Sequence, residues 1–179
     1  MIPKFMFAFI AWSAVSNAYG LSYQKAYQLV VEQGESMTFS SSNHGALCEL
    51  LAVEKVQELY PYAQVESGIK YGPRFGNIKG ELDVVVFEGG QASTVIEVKC
   101  SKNYSSAANK ANSQLNRFKS VAGDCDYDYW SEWEDYSCED FQAAGTTFTK
   151  MSYADAYQFE MSFDLTRSDI LRLIQDLSY

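Results

Sequence analysis

The sequence predicts an α/β fold in which a mixed central sheet is flanked by helices. Three observations lead to it. Residues 80–87 and 93–99 are β-branched, apolar runs on either side of Glu88-Gly89-Gly90, which is the pattern of a β-hairpin. Apolar residues recur at helical spacing before and after that hairpin. The elements then follow as two helices, three strands, a helix, further strands and a last helix, with no repeat and no sign of a second domain.

Taken in order, Ser22 is placed to cap a helix over 22–33 that ends at Gly34. Residues 35–42 are polar and loop-like. Ser42 or Asn43 starts a second helix over 45–59, stopped by Pro61. Leu47, Leu50, Leu51, Val53, Val56 and Leu59 give it a broad core face. Glu49 falls on the stripe of Ala52, Val53 and Val56, whereas Glu54 and Glu58 lie on the far, solvated side. His44, the sole histidine, is expected in a capping or exposed role. Residues 63–71 alternate weakly and read as a strand, and Gly72-Pro73-Arg74-Phe75-Gly76-Asn77 as a turn.

Beyond the hairpin, Ser106 is the expected cap of a helix over 107–121 that presents Ala108, Ala111, Leu115 and Phe118. Residues 124–140 interleave acids and aromatics around two cysteines and read as an exposed insertion. Strands are expected near 146–151 and 158–163. Thr166 or Ser168 caps a last helix over 169–177, with Ile170, Leu173, Ile174 and Leu177 inward.

Residues 1–20 are a separate object. Lys4, an apolar run from Phe5 to Val15 and the small-residue stretch to Gly20 have the order of a secretory signal peptide, cleaved after Ala18 or Gly20. The run is short for a bilayer span. The expectation is an exported chain, periplasmic or secreted, with residues 21–179 as one domain and no lasting membrane association. Four cysteines suit that compartment and allow three connectivities. Cys125 and Cys138 close the polar loop most easily. Cys48 and Cys100 then pair with each other, or remain buried thiols.

The net charge of −9 hides a division. Residues 70–119 hold eight basic and four acidic residues, while residues 120–179 hold three basic and thirteen acidic ones. Phosphate binding is therefore locally favourable in a chain that repels nucleic acid as a whole.

Chemistry concentrates on the hairpin. Asp83 opens its first strand, and Glu97 and Lys99 close the second on one face, so the three meet at adjoining strand ends. Charged groups gathered there are costly to desolvate without a partner, and a divalent ion is a natural partner for two carboxylates. Alone, Glu97 and Lys99 would be an ordinary surface ion pair of little worth. Asp83 and Glu49 make that reading less attractive.

The spacing of Asp83, thirteen residues, then Glu97-Val98-Lys99 resembles the PD-(D/E)xK nuclease superfamily, over residues 43–121. Gly80-Glu81-Leu82-Asp83 is similar to the Gly-Glu-hydrophobic-Asp form of that family's first motif. Glu49 on the preceding helix and Gln114 on the following one match its context. No proline precedes Asp83, as in many members. The resemblance implies a restriction-endonuclease-like core and a metal-dependent phosphodiesterase acting on nucleic acid, with DNA the expected substrate. It implies Asp83, Glu97 and the Val98 carbonyl as ligands of Mg²⁺ or Mn²⁺, with Glu49 as a further ligand or the holder of a metal-bound water. Lys99 would orient or deprotonate water, and Gln114 would contact phosphate or water. Lys102, Lys110, Arg117 and Lys119 would track the nucleic-acid backbone.

A competing class is a non-catalytic exported binding module that uses the acidic C-terminal region to bind calcium or a basic protein. Asp124, Asp126, Asp128 and Asp135 occupy positions 1, 3, 5 and 12 of a calcium-loop frame, but Tyr129 stands where that frame wants glycine. A third expectation is that this acidic loop folds over the basic groove and restrains an active nuclease.

Overall fold

The computed structural model describes residues 20–33, 44–142 and 144–177. The expected signal peptide (Gly20 excepted), Gly34, the 35–42 loop and the Ser42 and Asn43 caps lie outside these residues. Two helices come first, α1 (Tyr23–Gln33) and α2 (Gly45–Leu59). Three strands follow, β1 (Gln64–Pro73), β2 (Gly80–Glu88) and β3 (Gln91–Val98). Then come α3 (Tyr104–Lys119), β4 (Tyr127–Trp130), β5 (Asp135–Tyr136), β6 (Thr147–Ser152), β7 (Met161–Ser162) and α4 (Arg167–Leu177).

The strands form one mixed seven-stranded sheet in the order β5-β4-β1-β2-β3-β6-β7. Pairing is antiparallel from β5 to β3, and parallel between β3 and β6 and between β6 and β7. A parallel partner for β3 requires a long crossover, and α3 with residues 120–146 supplies it.

Helices cover both faces, which explains the nearly continuous apolar runs of β2 and β3. On one face α1, α2 and α4 bury Val30, Leu47, Leu51, Val56, Ile170 and Leu173 against Val84, Val86, Ile96 and Val98. On the other, α3 buries Leu115 and Phe118 against Ile69, Tyr71, Val85 and Val95. The Phe118 ring meets Tyr71, Tyr129, Phe141 and Phe148. Burial of such a ring contributes about 1.5–3 kcal/mol.

Three local expectations change. Helix α3 starts at Tyr104, because the Asn103 side chain accepts the Ser106 N–H at 3.0 Å; Ser106 lies in the first turn and is not the cap. His44 is neither exposed nor a side-chain cap: it is buried, with Nε2 2.7 Å from the Tyr153 hydroxyl. Residues 124–140 are not simply an exposed insertion. They contain β4 and β5, which extend the sheet beyond β1, and Tyr129 is buried. The Asp-Tyr-Asp-Tyr alternation is itself a strand pattern. Its acids point outward and obscured it. Thr166 does cap α4: its hydroxyl accepts the Asp169 N–H at 3.2 Å, and the Asp169 carboxylate accepts the Thr166 N–H at 3.0 Å.

Both cysteine pairs are bridged, Cys48–Cys100 and Cys125–Cys138. Two disulfides are compatible with an exported chain. No helix among the described residues is long and apolar enough to cross a membrane.

Candidate active site

The hairpin ladder stops short of its charged ends. β2 and β3 pair from Glu88 and Gln91 to Val84 and Ile96. Beyond that point β2 stays with β1 through Tyr71 and Gly80, and β3 stays with β6 through Val98 and Met151. The sheet therefore forks at Asp83 and Glu97. Asp83 spans the fork: its Oδ2 accepts the Val98 N–H at 2.7 Å, a donor that no longer has a β2 carbonyl partner. Opposite Asp83 on β1 is Gly68, at φ +68°, a conformation that glycine adopts without strain.

Lys99 is held in this fork by β6. Its N–H donates to the Met151 carbonyl at 3.1 Å, and its own carbonyl accepts the Ser152 hydroxyl at 2.6 Å. Its Nζ lies 3.1 Å from Asp83 Oδ2 and 2.9 Å from the Val98 carbonyl, and it donates to Glu97 Oε1. The three groups expected to hold a metal ion thus surround one cation, the lysine's own ammonium.

The charges do not balance. Glu97 is 2% exposed and shares a single ammonium with Asp83. Burial pushes the Glu97 carboxyl up to about 8, repulsion from Asp83 adds to that, and Lys99 opposes it. Burial alone would lower Lys99, but the Asp83 and Glu97 carboxylates outweigh it and hold its pKa above the usual lysine value. Glu49, half-buried on α2, is raised first by burial and then by the Asp83 charge. Two buried carboxylates that share one ammonium favour a further positive charge, which a proton on Glu97 or a bound cation supplies.

The donor set suits a hard ion: two carboxylates and a backbone carbonyl, completed by water, is an ordinary Mg²⁺ environment. Among the described residues, no three His, Cys, Asp or Glu side chains converge closely enough to hold a metal by themselves. Glu49 is therefore not a third direct carboxylate in the cluster. It is close enough for its charge to act on Asp83 and Lys99, which suits contact through a bound water. The Cys48–Cys100 bridge joins the residues beside Glu49 and Lys99, with 6.4 Å between their Cα atoms, and so braces α2 against the end of β3.

Gln114 makes no hydrogen bond to this cluster among the described residues. It lines a groove of about 610 Å³ along α3, with Asn103, Ser106, Asn109, Lys110, Ser113 and Arg117. Of the four expected backbone-tracking cations, Lys110 and Arg117 line that groove; Lys102 and Lys119 do not. Lys119 instead sits over the Phe148 ring, 5.4 Å from its centroid. No groove residue comes from 124–140, so the acidic segment does not cover it.

Among the described residues, the acids of the calcium-loop frame do not form a group of three that could hold an ion. Asp128 pairs with Arg74 at 3.4 Å, and Asp124 accepts the Asp126 N–H at 2.9 Å.

Sequence reasoning missed Met151 and Ser152, whose role of seating Lys99 depends on the parallel β3–β6 pairing. A parallel neighbour that arrives after fifty intervening residues leaves no local signal. Comparisons with protein-family models, with curated proteins and with solved structures find no match.

Proposed function

We propose that this chain is an exported, metal-dependent nuclease of the PD-(D/E)xK type, hydrolysing phosphodiester bonds with Mg²⁺ or Mn²⁺, with DNA the expected substrate. One observation supports it above the others: Asp83 Oδ2, Glu97 Oε1 and the Val98 carbonyl surround a single cation at the fork of the sheet.

Asp83, Glu97 and Val98 would hold the ion. Once bound, it would relieve charge on the phosphate and acidify the attacking water. Lys99, released from its two carboxylates, would orient that water and offset developing negative charge. Glu49 would hold a water at the same site. The α3 groove, with Lys110 and Arg117 among hydroxyls and amides, would carry the sugar-phosphate backbone.

Cleavage of linear and circular substrates by the purified mature protein tests this. Mg²⁺ or Mn²⁺ should support cutting and EDTA should stop it. Wild-type cleavage by both Asp83→Ala and Lys99→Ala would overturn the assignment.

A second observation favours a binding role at another place. Arg74, Tyr127, Asp128, Trp130, Asp135 and Tyr136 line a cleft of about 600 Å³ at the β4–β5 end of the sheet. Its acids and aromatics suit a basic protein partner. Calorimetry with a lysine- and arginine-rich peptide tests it, and equal heats from the wild type and Asp128→Asn/Asp135→Asn would reject it.

A further inference from the structure

The β1–β2 connection carries a feature that the catalytic cluster does not explain. Phe75 stands at its tip fully exposed, with a left-handed φ of +66°, and Ile78 beside it is also exposed. A bulky residue in that conformation is strained unless the surroundings hold it. Four contacts do so. Arg74 N–H donates to the Asp126 carbonyl at 2.7 Å, Gly76 N–H to Pro73 at 2.7 Å, and Lys79 N–H to Tyr71 at 2.8 Å. The Arg117 guanidinium donates to the Lys79 carbonyl at 3.1 Å. At Gly72 a Cβ would come within 2.7 Å of the Asn77 carbonyl, so the fold-back needs glycine there. Hydrogen bonds on both sides of Phe75 therefore hold the backbone of an apolar tip that stands in water, at the cost of strain and hydration.

The tip lies at the end of the sheet where the site lies. Asp83 is three residues into β2 from Gly80, about 10 Å along the strand, and the connection that carries Phe75 leads into that same strand end. Charge divides around it. On one side are Asp126 and Asp128, the latter paired with Arg74. On the other are Lys79 and, on α3, Lys110 and Arg117, none of which has a carboxylate within 4.0 Å among the described residues. Lys25, Lys55, Lys99 and Lys150 are all paired. In a chain of net charge −9, an exposed ring on the connection that holds Lys79, itself tied to Arg117 of the α3 groove, suits a ligand that is both anionic and aromatic.

We propose that Phe75 is a stacking platform for an unpaired base, and that the strand runs from it along the α3 groove with its phosphates on the Lys79–Arg117 side. This rests on the nuclease reading and narrows it: the substrate class is single-stranded nucleic acid, or duplex with a locally unpaired segment. Every base offers a ring face, so the contact discriminates by strandedness and not by sequence. The acids on the opposite flank confine the phosphates to one side.

The test is binding of a fluorescent single-stranded oligonucleotide and of its perfect duplex to full mature protein in EDTA, with cleavage of both measured separately in Mn²⁺. Phe75→Ala should weaken single-strand binding about tenfold or more and leave duplex binding within twofold. Phe75→Trp should restore it, with indole fluorescence quenched as the oligonucleotide is added. Phe75→Leu, equally apolar but without a ring, should not. Equal single-strand affinity in the wild type, Phe75→Ala and Phe75→Leu would overturn the platform while leaving the nuclease reading intact. A wild type that neither binds nor cuts any nucleic acid would overturn both.

Discussion

The Asp83 carboxylate accepts the Val98 N–H at 2.7 Å across the point where β2 and β3 separate. A side chain thus takes over a ladder bond. This brings the Val98 carbonyl and the Glu97 carboxylate to Asp83, and Lys99 Nζ occupies the space among them. The structural tie and the chemistry depend on the same oxygen, and the two can be separated.

Asp83→Asn should separate them. The amide oxygen still accepts from Val98, so the fold survives with a melting temperature close to wild type. Removing the charge should lower Mn²⁺ affinity and cut turnover by about 10²–10³-fold. Asp83→Ala also leaves the Val98 N–H without a partner, at about 1–3 kcal/mol. Calorimetry and thermal melts on the two variants check the difference. Equal Mn²⁺ affinity in Asp83→Asn and wild type would remove Asp83 from the ligand set.

Lys99→Met should make stability depend on metal. The lysine is the cation nearest two buried carboxylates, and its loss costs about 3 kcal/mol in EDTA. Mn²⁺ at a hundred times its dissociation constant should return about 2.7 kcal/mol. The wild type, whose ammonium competes for the same oxygens, should gain less. Urea melts with and without Mn²⁺ provide the comparison, and a variant that gains no more than the wild type would contradict it.

The two disulfides should differ in what they protect. Closing loops of 52 and 13 residues predicts about 4 and about 3 kcal/mol of stabilisation by chain entropy. Cys125→Ala/Cys138→Ala should lower stability and leave turnover near wild type. Cys48→Ala/Cys100→Ala should lower both, because that bridge positions Glu49 and Lys99. Turnover measured well below each melting point is the readout, and equal turnover in the two double variants would exclude the positioning role.

The α4 cap should give stability a pH dependence. Hydrogen bonds from the Thr166 hydroxyl and N–H hold the Asp169 carboxyl below its ordinary value. The unfolded chain then binds the proton more readily, so stability rises with pH across that window. The contribution is complete above about pH 4, the unfolded value, and disappears as pH falls through the lowered folded one. Thr166→Ala should cost about 1 kcal/mol at pH 7. Urea melts at pH 7 and pH 3 should show that cost shrinking in acid; a cost that does not vary with pH would refute the linkage.

The elements whose pattern is local were legible in the sequence. The residues of α2 follow from its apolar period and Pro61, and the β2–β3 hairpin from its β-branched runs around Gly89-Gly90. Glu97 and Lys99 belong together because residues two apart on a strand share a face. The pairing of Cys125 with Cys138 follows from their nearness in the chain. Tertiary structure decided the rest. The fork at Asp83 exists because β1 and β6 pull β2 and β3 apart, and β6 reaches β3 only through a fifty-residue crossover. Met151 and Ser152 seat Lys99 through that parallel pairing. Gln114 lines a groove built along α3, and where that groove lies relative to the fork depends on how α3 packs on the sheet. Tyr129 is buried only because β4 adds to β1. Period and spacing state which residues share a face; they do not state which distant strand that face will meet.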